Sequence, residues 1–270
     1  EIVASDWSSD VCSSDLGTSF CWWPNRIGYL DELSEQAAKL FFDPKEGLGL
    51  NIIRYNIGGG DDPTHHHITR TDSMVPGYAI NPSHDANGYH WSYDWNADQN
   101  QRNVLMKVAE CYGKDLIVEG FSNSPPYFMT NSGCSSGSVN AGENNLREDA
   151  YGAFASYLAD VAQHFSKEWG IHFQSMTAMN EPDTEYWHAL SDKQEGCHFD
   201  PGESQSVMII ALREALDERG LNDILISGTD ETGINCQINS INSLSEVARE
   251  TIARIDTHSY LEGVDRKSVV

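Results

Sequence analysis

Basic residues are scarce in this chain. Its 270 residues carry 17 Lys and Arg against 41 Asp and Glu, a formal charge of -24. No basic stripe is available to neutralise phosphates, so nucleic acid and anionic membrane surfaces are not expected partners. Long apolar runs are missing as well: no stretch is long enough to span a bilayer, and no charged-then-apolar leader is present. The six cysteines include no CxxC pair and no Cys/His spacing of a zinc site, and GxSxG and HExxH are absent, which removes the simple zinc-protease and serine-hydrolase readings. Gly58-Gly59-Gly60 before Asp61 does not make GxGxxG, so no dinucleotide cofactor is expected, nor any other. His65, His66 and His67 are consecutive in a segment that reads as loop, and adjacent side chains do not naturally converge on one ion, so no metal is expected there.

What is present can fold. With 39% hydrophobic and 10% aromatic residues the chain can bury a substantial core, and one large domain is expected. Seven Trp and eleven Tyr suit stacking against the apolar faces of sugar rings, although core packing explains most aromatics in any globular domain. Cys134, Cys197 and Cys236 fall in segments read as loops, where a disulfide and free thiols are both open readings.

Both ends look foreign. Residues 5–16, SDWSSDVCSSDL, repeat Ser-Ser-Asp around Val11 and Cys12 with neither helical nor strand periodicity. The string resembles translated sequencing-adapter read-through of the kind found in metagenomic gene sequences, and DRKSVV at 265–270 resembles another such product. The expectation is a non-native tail at 1–16, one domain at 17–263 and a second non-native tail at 264–270; a natural mobile terminus is the alternative.

Between the ends, short β-branched or apolar runs alternate with helical stretches, the pattern of βα units around a parallel sheet. Six strands are expected, at 18–22, 51–57, 115–121, 173–179, 224–228 and 253–258. The best helix starts near Asp149, where Tyr151, Phe154, Tyr157, Leu158, Val161 and Phe165 recur at three- and four-residue steps. Another carries Val104, Leu105, Val108 and Tyr112 up to Gly113. A third carries Val207, Ala211, Ala215 and Leu216 up to Gly220. A complete eight-stranded (β/α) barrel takes about 250 residues, but long loops, notably 58–95, use up the chain in six strands. The expected fold is therefore α/β, a partial (β/α)8 TIM barrel with about six of eight strands present. An open doubly wound sheet is the rival.

Ala178-Met179-Asn180-Glu181-Pro182 stands where a strand gives way to a loop, at the end that forms the catalytic face of a barrel. A carboxylic acid there can protonate a glycosidic oxygen and later deprotonate water, while the Asn180 amide can hydrogen-bond a sugar 2-hydroxyl. A plain Asn-Pro turn is the bland alternative. Arg54 interrupts the apolar run of strand two and calls for carboxylate or carbonyl partners, either at the barrel mouth or within a structural ion pair. Asp61 can accept hydroxyl protons or be an ordinary loop aspartate. Strand three runs into Ser122-Asn123-Ser124-Pro125-Pro126-Tyr127, which the double proline stiffens and where one X-Pro bond is a candidate for the cis form. Alternation places His258 and Tyr260 on one face after strand six, as site groups or as core residues. Glu231 either reaches the cleft or is solvated.

The segments GTSFCWW (17–23), IIRYNIGGGDD (52–62), NSPPYFMTNSGC (123–134), MNEP (179–182) and DTHSY (256–260) together resemble glycoside hydrolase family 30, and the CWW and NSPPYFMTNSGC versions are most similar to its endo-β-1,6-galactanase-like branch. The resemblance implies a secreted, retaining glycosidase acting on β-linked polysaccharide. It makes Glu181 the acid/base, Asn180 the preceding asparagine, and Arg54, Asp61, His258 and Tyr260 substrate-subsite residues; Trp23 corresponds to an aromatic at the mouth of strand one. It also implies a glutamate nucleophile ending a seventh barrel strand and an accessory β-sandwich, for neither of which a matching segment is found. The chain as written is accordingly expected to be monomeric, inactive and poorly stable, its first and sixth strands presenting unpaired edges. Related β-1,6-glucanase, xylanase or glucosylceramidase-like specificities, and a non-catalytic carbohydrate-binding protein, remain open.

Overall fold

The computed structural model describes residues 16–260. The expected foreign tails lie outside them apart from Leu16, whose carbonyl accepts the Asn51 amide at 2.9 Å. In chain order the elements are β1 (Gly17–Ser19), α1 (Trp23–Ile27), α2 (Asp31–Phe42), β2 (Ile52–Asn56), β3 (Ala79–Asp85), β4 (Gly88–Tyr93), α3 (Gln99–Tyr112), β5 (Ile117–Phe121), α4 (Tyr151–Trp169), β6 (Ser175–Thr177), α5 (Glu203–Glu218), β7 (Leu225–Glu231), α6 (Ile234–Ser243), α7 (Glu246–Thr251) and β8 (Ile252–Thr257). Six strands form one sheet in the order β1-β2-β5-β6-β7-β8, and the pairs β1–β2, β6–β7 and β7–β8 are parallel. This is an α/β fold on a parallel sheet, and all six expected strands are in it.

Two compact units share these residues. The first comprises the chain up to Tyr55 together with Gln99–Glu119. Here β1 and β2 pair with Gly17 opposite Ile52 and Ser19 opposite Arg54. Helices α2 and α3 bury Ala37, Ala38, Phe42, Val104, Leu105 and Val108, while Asn103 donates its side-chain amide to the Gly28 carbonyl at 2.8 Å and to Asp31 at 2.9 Å. A β-carbon on Gly28 would meet the Asn100 carbonyl oxygen at 1.9 Å, so the close approach of α1 to α3 requires glycine.

The second unit comprises Asn56–Asp98 and the chain from Gly120 onward. Its longest helix, α4, buries Phe154, Tyr157, Leu158, Val161 and Phe165 as their spacing predicts, and stops at Gly170 in the left-handed conformation, φ +66°. The Tyr157 hydroxyl, fully buried, donates to the Gly58 carbonyl at 2.6 Å and accepts the Tyr78 amide at 3.1 Å, which satisfies its polar tip. In α5 the buried stripe is Met208, Ile209, Leu212, Ala215 and Leu216, whereas Val207 is 42% exposed. The run from Val207 to Leu212 is apolar almost throughout, so periodicity alone does not fix which side packs.

Three further expectations are corrected. The segment 58–95 is not all loop: β3 and β4 form an antiparallel hairpin across Asp85 and Gly88, with a register irregularity between Ile80 and Ser83. Pro82 inside β3 hides the strand, although Asn87-Gly88 followed by alternating Tyr89, Trp91 and Tyr93 is a hairpin signal. Among the described residues the five cysteines are all free thiols, and Cys236 belongs to α6 rather than a loop. The one cis peptide among them joins Cys21 to Trp22, so both bonds to Pro125 and Pro126 are trans.

The phase of α5 is open to a direct test. Leu212→Ala, emptying a buried site on α5, is expected to cost roughly 2–5 kcal/mol in denaturant unfolding, and Val207→Ala to stay within about 0.5 kcal/mol of the parent. A large loss on Val207→Ala would put the other side of α5 against the core.

Candidate active site

Beyond β6 the chain runs through Ala178-Met179-Asn180 into Glu181, which adopts φ +50°. Asp230, one residue before the end of β7, adopts φ +56°. Left-handed conformations cost non-glycine residues about 1–2 kcal/mol each, and they gather where a site demands an unusual side-chain direction. The two are tied together, because the Glu181 amide donates to the Asp230 carbonyl at 2.8 Å. The Glu181 carbonyl is held in turn by the Thr184 hydroxyl at 2.7 Å and the Trp187 indole N–H at 3.1 Å.

This backbone clamp aims a carboxyl group that is 9% exposed. One oxygen, Oε1, lies 2.6 Å from His258 Nδ1, and the other, Oε2, accepts a hydrogen bond from the Tyr186 hydroxyl. The far ring nitrogen of His258, Nε2, is 3.3 Å from Asp230 Oδ1. The ring therefore bridges the two carboxyl groups, one at each nitrogen. Burial and the adjoining Glu181 carboxylate push the Tyr186 phenol far above its ordinary range, so it acts as a fixed donor. The arrangement can deliver a proton to a bound oxygen and take one back from water.

Next to Asp230, Glu231 is fully buried, which overturns both a solvated reading and direct access to a cleft. Its Oε1 accepts from Ser240 at 2.6 Å and from the Gln205 amide at 3.1 Å, and its Oε2 accepts the Asp183 backbone N–H at 3.1 Å. Burial dominates these hydrogen bonds and raises the carboxyl from 4.5 to about 7. The group braces the loop after Glu181 against α5 and α6.

The other sequence candidates are distributed differently. Asn180 is buried beside Glu181, and the Tyr260 ring stands edge-on to His258 with centroids 4.9 Å apart while remaining 71% exposed. Asp61 sits in a separate group: His67 Nε2 is 2.6 Å from its Oδ2, His65 Nδ1 is 3.3 Å from its Oδ1, and the Ser135 amide donates to that same Oδ1 at 3.0 Å. It lines a cavity of about 660 Å³ together with His65, His67, Tyr127, Ser135 and Glu195. Glu181 is not part of that lining. Burial, with Asp61 nearby, holds the Glu195 carboxyl well above the usual range. Arg54 and Trp23 belong to the first unit: Arg54 is half-buried on β2, and the Trp23 indole donates to the Ser19 carbonyl at 3.2 Å and packs edge-on against Phe20 and Phe41.

Tyr186 and Asp230 were not legible as site residues. The only signal for Tyr186 is an aromatic five residues past Glu181 in a polar loop. Asp230 offers none beyond its place at a strand end, since its role depends on a histidine from the next strand.

A family model described as O-Glycosyl hydrolase family 30 matches residues 8–247. The endo-beta-1,6-galactanase of Hypocrea rufa is 35% identical, the match covering 94% of this chain and 54% of that protein. The exo-beta-1,6-galactobiohydrolase of Bifidobacterium longum subsp. longum is 26% identical, with 93% and 22% covered. Among solved structures, the catalytic domain of GH30 xylanase C from Talaromyces cellulolyticus matches with a TM-score of 0.68 at 21% identity, over 91% of this chain and 52% of that one, which is a likeness of fold. The chain spans about half the length of the Hypocrea rufa relative.

Glu231 generates a pH prediction. Its folded value, about 7, lies above its ordinary 4.5, so the folded chain binds the extra proton between those values. The stabilisation is complete below about 4.5 and is lost as pH rises through about 7, at most about 3 kcal/mol. Urea unfolding of the parent from pH 5 to pH 8 should lose stability relative to Glu231→Gln over the same range. Parallel pH profiles would show that Glu231 titrates as it does in the unfolded chain.

Proposed function

The chain belongs to O-glycosyl hydrolase family 30, and from that premise we propose that it carries the acid/base half of a retaining glycosidase acting on β-1,6-linked galactan. The observation that carries this reading is the Glu181 carboxyl, buried after a sheet strand and held at both oxygens by His258 and Tyr186. In the first half-reaction its proton passes to the glycosidic oxygen as the carbon–oxygen bond breaks; in the second its carboxylate takes a proton from the attacking water. Asn180 binds the sugar 2-hydroxyl, and His258 and Tyr260 face the substrate from the β8 side.

The preference for galactan is supported by the two β-1,6-galactan-active relatives, which match nearly the whole of this chain. The six-stranded sheet is read as the wall of a (β/α)8 barrel, with residues 17–263 as the catalytic domain. A retaining mechanism needs a second carboxylate about 5–5.5 Å from the first; family resemblance assigns it to a seventh barrel strand, which is not among the described residues. The substrate is a polymer too large to cross a membrane, so the reaction belongs outside the cell, and a monomer suffices for it. No helix of the described residues is long and apolar enough to cross a membrane.

Calorimetric titration of the chain is expected to show tighter binding of β-1,6-galactooligosaccharide than of β-1,6-glucooligosaccharide or xylooligosaccharide. In a polypeptide extended through a seventh barrel strand, Glu181→Gln should lower kcat on galactan by about 10²–10⁴. The loss should be far smaller on an aryl galactoside, whose leaving group departs without a proton. Equal losses on both substrates would remove Glu181 as the acid; a preference for glucan or xylan would overturn the specificity; binding without turnover in the extended parent would favour a carbohydrate-binding protein.

A further inference from the structure

The cavity that Asp61 lines contains a group of side chains that acid/base chemistry at Glu181 does not use. Asp61, His65, His67 and Cys134 each offer one ligand atom, and these four atoms lie within 4.8 Å of one another. Consecutive histidines were not expected to converge, and His66 indeed points to solvent. Residues 65 and 67 lie two apart and meet on the same carboxylate, His65 at Oδ1 and His67 at Oδ2. Cys134, at the end of the NSPPYFMTNSGC segment, comes in from a distant part of the chain and places its buried sulfur 3.3 Å from His67 Nε2.

We propose that Asp61, His65, His67 and Cys134 form a structural site for a divalent metal of the zinc class. Two imidazoles, one thiolate and one carboxylate are zinc ligands, whereas calcium and magnesium call for oxygen alone. Four protein ligands leave no open position, which marks a structural rather than a catalytic ion. An aspartate and a thiolate also cancel a dipositive charge, so the filled site carries no net charge into a partly buried place. Tetrahedral ligands at zinc bond lengths of about 2.0–2.3 Å stand roughly 3.3–3.7 Å apart. The Cys134–His67 and His65–Asp61 separations, both 3.3 Å, already fit. The His67–Asp61 contact of 2.6 Å is a direct hydrogen bond, and it opens by about 0.7 Å to admit the ion.

The groups behind the ligands are independent support. His67 Nδ1 lies 2.5 Å from the Ser191 carbonyl, which can only accept, so Nδ1 carries a hydrogen of its own, and Nε2, once the proton of its Asp61 hydrogen bond is displaced, is the nitrogen left to bind an ion. That is how metal-binding histidines are oriented. The Leu190 amide donates to the Cys134 sulfur at 3.3 Å, and the Ser136 hydroxyl, itself bound to the His188 carbonyl, stands 3.2 Å from it; these contacts hold the sulfur facing His67. The Ser135 amide holds Asp61 from behind. A bound ion would pin the segment 61–67 to those around Cys134 and Ser191, and so fix one wall of the cavity. The competing account is a protonated His67 paired with Asp61 and no metal affinity at all.

Cobalt(II) separates the two. The full chain, stripped with a chelator, is titrated with Co²⁺ and then with Zn²⁺. One equivalent of Co²⁺ should give tetrahedral visible bands and a near-ultraviolet thiolate-to-cobalt transition, both erased by one equivalent of Zn²⁺. Cys134→Ser should lose the thiolate transition and weaken Zn²⁺ binding by at least the roughly 10–100-fold that loss of an outer-shell partner costs. His66→Ala should leave spectrum and affinity unchanged. If Cys134→Ser does not fold, His65→Ala serves: it should weaken binding while retaining the thiolate transition. Absence of the cobalt spectrum from the parent chain, a thiolate transition that survives Cys134→Ser, or a Zn²⁺ affinity that His65→Ala leaves unchanged would overturn the site and leave an ordinary ion pair.

Discussion

The hydrogen bond from the Glu181 amide to the Asp230 carbonyl is the contact on which the candidate site rests. It joins the ends of two neighbouring strands at residues that both adopt left-handed backbone conformations, and so it fixes the directions of both carboxylates at once. Those directions leave a gap that the His258 ring spans, 2.6 Å from one acid and 3.3 Å from the other. His258 reaches the gap because β8 pairs in parallel with β7 and because its own amide donates to the Glu231 carbonyl at 2.7 Å. Three strand ends are thus locked by main-chain bonds before any side chain takes part. The side-chain geometry follows from that lock, and its conformational strain is sustained by the buried Thr184, Trp187 and Glu231 contacts around it.

Strand ends were legible in the sequence because each β-branched run stops at Gly, Pro, Asn or Asp, residues that bring their own turn preferences. Glu181 and His258 were legible for the same reason, since each directly follows such a run. The face of α5 was not, because a nearly unbroken apolar run contains no phase. The hairpin β3–β4 stayed hidden behind Pro82, an edge-strand residue whose missing N–H argues against a strand wherever the opposite side is unseen. Cys236 illustrates a third limit: in α6 Ile234, Ile238 and Ile241 recur at helical steps, yet Ile234 and Ile238 are exposed and the buried residues are Gln237 and Ser240, which bond the end of β7. Contacts of that kind, between polar residues on different elements, leave no trace in local pattern.

The same limit explains the cluster at Asp61. Spacing rules for metal sites rely on ligands that are close in sequence, and the pair His65 and His67 meets that description only if the chain between them is extended. Cys134 and the Ser191 carbonyl come from segments 67 and 124 residues away from His67. Only the fold brings them within reach. Gly59 shows how closely that region is packed: a β-carbon there would meet the Ser124 and Pro125 carbonyl oxygens at 2.5 Å. The triple glycine that fails as a phosphate loop is therefore accounted for by packing, as the means by which the end of β2 passes under the Ser-Pro-Pro segment.

Two glutamates one strand apart show how neighbourhood separates roles. Glu231 is enclosed by neutral donors, a hydroxyl, an amide and a backbone N–H. None of these can match the solvation its charge gives up, so the proton is retained toward neutral pH and the group serves as a brace. Glu181 instead meets an imidazole that is itself held by a second carboxylate, and a phenol that stays protonated. A hydrogen can pass between the Glu181 carboxyl and the ring nitrogen against it. An acid that must give up and regain a proton in one catalytic cycle needs a partner able to follow the change, and of the two glutamates only Glu181 has one.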